Sequence, residues 1–229
     1  MILKHNLRAV FVAALALGLV SCGEDSDENT AQNGVDGESS VGEQTASIDV
    51  LYSAANFENG VSYGDISIGD PDAPVTIIEY ASFTCSHCAS FHNNVLPIVK
   101  RDYIETGKVR LLFRNFVRDQ YDLTASMISR CNPPEKAFAV TSLFYSRQHT
   151  WLNEDYFNNL ASLARRAGMS RASVDTCITN AELQNNLIEM NTYGSEVDNV
   201  TGTPTFFING VKLTGPTPET FFEALNDAL

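Results

Sequence analysis

The sequence is short of positive charge, of long apolar runs and of repeated metal-ligand motifs, and each shortage argues against a class of protein. Fifteen Lys and Arg stand against 28 Asp and Glu, a formal charge of -13. A nucleic-acid partner held by phosphate neutralisation does not fit that balance. The longest apolar run, Ala9 to Val20, has twelve residues. As a helix it rises about 18 Å at ~1.5 Å per residue, short of the roughly 30 Å hydrocarbon core, so a permanent transmembrane helix is the weaker reading. One Cys-x-x-Cys is present, with no second copy and no paired His after it, so a four-ligand zinc site lacks its other half. No internal repeat is visible, and between Gly23 and Asp49 there is no Lys or Arg.

What is present suffices for a fold. With 44% hydrophobic and 10% aromatic residues in 229, the chain can bury a core, and its length suits one domain with appendages. The appendages are N-terminal. Lys4 and Arg8 precede the apolar run, which ends in Leu19-Val20-Ser21-Cys22. Residues 1–21 therefore read as a secretory signal peptide. Their end resembles a bacterial lipobox, which implies cleavage before Cys22 and acylation of its thiol; two or more chains would anchor the protein stably to a membrane surface. The alternative is a plain secreted protein in which Cys22 goes with the signal or stays an odd thiol. Glu24, Asp25, Asp27, Glu28, Asp36, Glu38, Glu43 and Asp49 follow, amid Ser, Asn, Gln and Gly. That composition cannot recover its ordering entropy, so residues 22–60 read as a flexible acidic tether. About 37 residues of flexible coil would reach roughly 30 to 37 Å.

Setting Cys22 aside leaves Cys85, Cys88, Cys131 and Cys177, for which three disulfide connectivities exist in an exported protein. Proximity favours Cys85 with Cys88. Cys131 with Cys177 would then form a structural disulfide, the alternative being two free buried thiols.

The folded part begins with weak alternation over Val61 to Ile68 and a turn at Asp70-Pro71-Asp72-Ala73-Pro74. Val75 to Tyr80 is a β-branched run that reads as a buried strand, and Val109 to Val117 as another. Between them, apolar residues at 88, 91, 95, 98 and 99 predict a helix from Cys85 to Tyr103, kinked at Pro97. Strand, helix, strand is a βαβ unit, whose chemistry usually sits where a strand hands over to its helix. Asp122 to about Val197 is helical, broken at Pro133-Pro134, at His149 to Asn153 and at Gly168. Asn209-Gly210 between two apolar runs predicts a hairpin. Thr217-Pro218 then caps a last helix with Phe221, Phe222, Leu225 and Leu229 on its core face.

Cys85-Ser86-His87-Cys88 carries the chemistry. Two cysteines three apart at a helix start place both sulfurs on one turn, where a disulfide can be made and broken reversibly. Cys85 faces the helix N-terminus, whose dipole and unpaired N–H groups favour a thiolate, while Cys88 lies inward. Cys85 is then the attacking sulfur and Cys88 the resolving one. His87 can add positive charge or a hydrogen bond to the thiolate, making the disulfide more oxidising. Read alone, the pair could also be half a metal site with His87 or His92, or an inert structural disulfide.

Taken with Phe83-Thr84 before it, a helical insertion after it, and Gly202-Thr203-Pro204-Thr205-Phe206-Phe207 later, the motif resembles the DsbA family of disulfide oxidoreductases from about Tyr63 to Leu229. The resemblance implies an α/β thioredoxin-like fold from residues 61–119 and 185–229 with an all-helical insertion at 120–184. It also implies a cis Thr203-Pro204 bond beside the catalytic pair, and Glu79 as a buried acid that accepts the Cys88 proton. Ser86 and Thr203 replace the Pro and Val of the strong oxidases, which bears on oxidising strength rather than on redox chemistry. The expected function is extracytoplasmic, periplasmic donation of the Cys85-Cys88 disulfide to reduced exported proteins from a lipid-anchored position. No bound cofactor, metal or nucleic acid is called for. Reoxidation would fall to a quinone-linked membrane oxidase of the DsbB or VKOR type. The alternatives are a reductase or isomerase of the same fold, and a non-catalytic lipoprotein that binds polypeptides or a metal.

Overall fold

The computed structural model describes residues 56–229. The signal peptide (residues 1–21), the Cys22 lipidation site and all but the last residues of the tether lie outside the described residues.

A small hairpin of β1 (Asn56–Glu58) and β2 (Val61–Tyr63) precedes a five-stranded mixed sheet. The sheet's order is β3 (Ile66–Ile68), β5 (Val109–Asn115), β4 (Val75–Ala81), β6 (Thr205–Ile208) and β7 (Val211–Thr214). β4 and β5 run parallel and every other pairing is antiparallel. The weak alternation over 61–68 thus becomes two short strands in different sheets. The Asn209-Gly210 hairpin forms with φ of 46° and 84° at its two central residues, the left-handed pair that such a turn requires.

The crossover between β4 and β5 is a continuous helix, α1, over residues 86–104. It widens to π-helical winding at Phe91–Val95, ahead of Pro97, and again at Lys100–Ile104. Pro97 sits in the first turn of the α-helical stretch between them, directly after the first widened segment. Seven further helices follow: α2 (Gln120–Arg130), α3 (Pro134–Ser146), α4 (Gln148–Trp151), α5 (Tyr156–Arg166), α6 (Arg171–Ile178), α7 (Ala181–Glu196) and α8 (Pro218–Asp227). The break expected at His149 to Asn153 is therefore partly helical, because α4 makes one turn there. On α8, Phe221 and Leu225 are buried and Phe222 is half-buried, but Leu229 lies beyond the helix end and is exposed. It is not part of the core face.

Period-two alternation sorts β4. Val75, Ile77 and Ala81 join the main core with α1 and the helical insertion, and Glu79, two residues from both Ile77 and Ala81, shares their face. Ile78 and Tyr80 face a second core with Leu112, Val200 and Phe207. α7 lies close over that face: a Cβ on Gly194 would fall 2.7 Å from the Tyr80 ring, so only glycine fits.

Cys131, at the C-terminus of α2, is bonded to Cys177 in α6 across 46 residues of sequence. Loop-closure arithmetic for that separation gives about 4 kcal/mol. Replacing both cysteines by Ala should lower the unfolding free energy by about that amount, read as a fall in the urea midpoint with an intact Cys85-Cys88 pair.

Candidate active site

β4 ends at Ala81, and Ser82-Phe83-Thr84 lead directly into α1, whose N-cap is Cys85. Its sulfur accepts a hydrogen bond from the Cys88 backbone N–H at 3.5 Å and lies 3.3 Å from the Thr203 carbonyl oxygen, to which its thiol donates. Both cysteines are buried, Cys85 at 5% exposure and Cys88 at 0%, and both are thiols here.

The two thiols differ sharply. The Cys85 thiol is lowered from 9.0 to about 5, first by its hydrogen bond with the Cys88 side chain and then, against the cost of burial, by the Thr203 side chain and the backbone N–H groups of Cys88 and His87. Burial pushes the Cys88 thiol well above its usual value, helped by the Cys85 hydrogen bond and by the charge of Glu79. His87 contributes to the Cys85 shift through its backbone; Ser86 and His87 are both exposed.

Thr203-Pro204 is a cis peptide bond, and its loop sits against Cys85. Beside it runs a groove of about 490 Å³ lined by His87, Phe91, Val95, Pro204, Phe206 and Phe221 among others. It is more apolar than polar, and its lining includes Thr203, whose carbonyl contacts the Cys85 sulfur.

Glu79 is fully buried, and its Oε2 lies 3.0 Å from Nε2 of His92, also buried. The Tyr145 ring stacks on the imidazole at 4.1 Å between centroids. Among the described residues, Glu79 Oε1, His92 Nδ1 and the Tyr145 hydroxyl are buried with no hydrogen-bond partner. From the sequence alone, His92 offers itself only as a possible metal ligand. The signal for its pairing with Glu79 was its position: four residues after Cys88, it shares the inward face of α1 with that cysteine. Among the described residues no group of three or more His, Cys, Asp or Glu is arranged to hold a metal ion. Cys177 belongs to a separate small core, and Cys131 packs against both that core and the main one.

A family model described as thioredoxin matches residues 62–227. The crystal structure of Wolbachia pipientis alpha-DsbA1 superposes with a TM-score of 0.67 at 30% identity, covering 72% of this chain and 90% of that one. A structure described as a protein-disulfide isomerase from Novosphingobium aromaticivorans gives a TM-score of 0.64 at 28% identity, with 72% and 98% covered. A Rickettsia conorii chain named as a protein-disulfide oxidoreductase is 29% identical over 171 residues, which are 74% of this chain and 62% of that one. The chain thus spans less than two thirds of the length of such curated relatives. With the strand-to-helix cysteine pair, the cis-proline loop and the helical insertion on one scaffold, the chain belongs to the thioredoxin family, among its DsbA-like disulfide oxidoreductases.

Proposed function

We propose that this protein is an extracytoplasmic thiol:disulfide oxidoreductase that donates its Cys85-Cys88 disulfide to reduced exported proteins. The observation that carries the reading is the asymmetry of the pair's surroundings: the Cys85 sulfur caps the start of α1 and accepts the Cys88 N–H, which favours its thiolate, whereas Cys88 is fully buried, which disfavours a charge there. A substrate thiolate attacks the Cys85 sulfur, forms a mixed disulfide and expels Cys88. The departing Cys88 sulfur takes up a proton, for which the Glu79–His92 pair is the buried source. A second substrate thiolate then attacks the substrate sulfur of the mixed disulfide and releases Cys85 as a stable thiolate. Two electrons pass from the substrate dithiol to the cysteine pair. Stabilising the Cys85 thiolate stabilises the reduced form, and this is what makes the disulfide oxidising. The apolar groove beside Cys85 supports an extended polypeptide as substrate, with Thr203 and Pro204 offering backbone contacts.

The reduced pair needs an external oxidant, and the DsbA-like family supports a quinone-linked membrane oxidase of the DsbB or VKOR type. Acylation of Cys22, with residues 22–60 as the tether, would hold donor and regenerator on one membrane surface, in the periplasm. Mass spectrometry of the membrane fraction tests this: a diacylglyceryl Cys22 at the mature N-terminus supports it, and an unmodified or absent Cys22 overturns it.

The deciding experiment for the reaction is the reduction potential of the Cys85-Cys88 couple in glutathione buffers. A value near or above about -150 mV supports a dithiol oxidase, and one below about -220 mV points to a reductase or isomerase. The absence of a reversible couple overturns the redox reading altogether.

The thiolate also sets a pH dependence. The folded Cys85 thiol lies below its unfolded value, so its contribution to the reduced form is complete above about pH 9 and is lost as pH falls through about 5. Cys88, raised above 9, opposes this only at higher pH. Thiolate absorbance near 240 nm should therefore titrate with a midpoint near pH 5, and the melting advantage of the reduced over the oxidised form should shrink between pH 8 and pH 4.

A further inference from the structure

The three residues before the helix are gripped from outside the βαβ unit. The Phe83 backbone N–H donates to Oδ1 of buried Asp122 at 2.7 Å, and the same carboxylate accepts the Arg118 N–H at 3.0 Å. Thr84 donates its hydroxyl to Asp119 at 2.9 Å. The side-chain amide of Gln148 donates to the Phe83 carbonyl at 2.8 Å and to the Cys85 carbonyl at 3.0 Å. Phe83's ring stacks on Tyr145 with centroids 5.0 Å apart. Phe83 thus has both backbone polar groups and its ring held by residues 122–148, two positions before the attacking sulfur.

Gln148 is the part of this grip that reaches Cys85 itself. A primary amide has two N–H groups, and here they are directed to the carbonyls on either side of Thr84. The Cys85 carbonyl already accepts the first helical hydrogen bond, from Ala89 N–H at 3.1 Å, so Gln148 adds a second donor to the peptide that opens α1. Fixing the Phe83 and Cys85 peptide planes fixes where Cβ of Cys85 points. The sulfur lies one χ1 rotation from that Cβ, where it meets the Cys88 N–H and the Thr203 carbonyl.

We propose that Gln148 is a positioning residue for thiol-disulfide exchange: through the Phe83 and Cys85 carbonyls it aims the Cys85 sulfur at the helix N-terminus, so that the helical insertion sets the redox poise of the pair. This rests on the exchange reading above. Gln148 touches neither sulfur, so its effect is exerted entirely through the backbone of the loop.

The test compares the full-length protein with Gln148→Leu, which keeps side-chain bulk and removes both donors. In glutathione buffers the variant's equilibrium constant for oxidising glutathione should fall about tenfold, equivalent to about 30 mV for a two-electron couple. The midpoint of the 240 nm thiolate titration should move upward, and alkylation of Cys85 by iodoacetamide at pH 5 should slow several-fold. A merely structural Gln148 would lower the melting temperature and leave the potential and the thiolate titration unchanged in the folded protein; that result overturns the proposal. If Gln148→Leu does not fold, Gln148→Ala and Thr84→Val are read by the same potential and titration, the latter cutting the Asp119 bond. Both matching the wild type would overturn the proposal equally. A wild type with no reversible couple refutes the exchange reading instead, so the two failures are distinguishable.

Discussion

Cys85→Ser should reduce exchange to the uncatalysed background, whichever direction is assayed. A serine oxygen cannot form the mixed disulfide, and the groove and Thr203 carbonyl that remain can bind a peptide without joining to it covalently. Cys88→Ser should behave differently. Cys85 keeps the backbone N–H groups at the start of α1 and forms a mixed disulfide with an oxidised peptide, but no resolving sulfur is present to release it. The adduct should accumulate on a non-reducing gel and vanish with added dithiothreitol, and the Cys85→Ser, Cys88→Ser double variant should form none. Peptide association that survives Cys85→Ser while no adduct forms with Cys88→Ser would identify a binding protein without exchange chemistry. Those outcomes separate the enzyme from the non-catalytic lipoprotein, which composition could not do.

The depth to which the site could be read in the sequence follows the separation of its parts. Cys85 and Cys88 are contiguous, and their place between a β-branched run and a 3.6-period helix puts them at a strand-to-helix junction. Glu79 was legible only through the family resemblance, as the acid six residues before Cys85; the structure places it on the same face of β4 as residues 77 and 81 of the core. The hairpin carries a local signal in Asn209-Gly210, and the cis-proline segment was legible through the family resemblance of Gly202-Thr203-Pro204. Gln148 had no such signal. It is 65 residues from Phe83, stands just before what looks like a break between helices, and is recognisable only when the insertion folds back over the loop. His92 was hidden for the opposite reason, since its spacing matched the apolar positions of α1 and its buried acid lies 13 residues away on another element.

The same limit hid the charged network on the far face of the sheet, where the largest stability effect is expected. Arg114, fully buried in β5, donates from Nε and Nη2 to the Asp65 carboxylate at 2.7 and 2.8 Å and from Nη1 to the Tyr80 hydroxyl at 3.1 Å, with Asp198 Oδ2 at 3.5 Å. Arg130, also buried, donates to the Ser62 and Gly64 carbonyls and to Asn115, tying α2 to the segment that carries Asp65. Arg114→Leu leaves two buried carboxylates without their cation, and removing one partner of a buried pair costs about 3–5 kcal/mol. Against a domain stability of roughly 5–15 kcal/mol this is a large share. The loss should also depend on pH with a defined sign. Burial already raises Asp65 above its usual value with Arg114 in place. Without the guanidinium that carboxyl rises further, so the folded variant holds a proton that the unfolded chain gives up near pH 4. The variant's deficit in urea should therefore be smallest at pH 4 and grow towards pH 7. A deficit that is flat across that range would mean that Asp65 stays ionised through its other neighbours. Tyr80 and Arg114 pair in register on this face, whereas Glu79 and Phe113, one residue back, face α1. Folded Arg114→Leu should accordingly keep its Cys85 thiolate midpoint near pH 5, which separates the part of the sheet that holds the domain together from the part that prepares the sulfur.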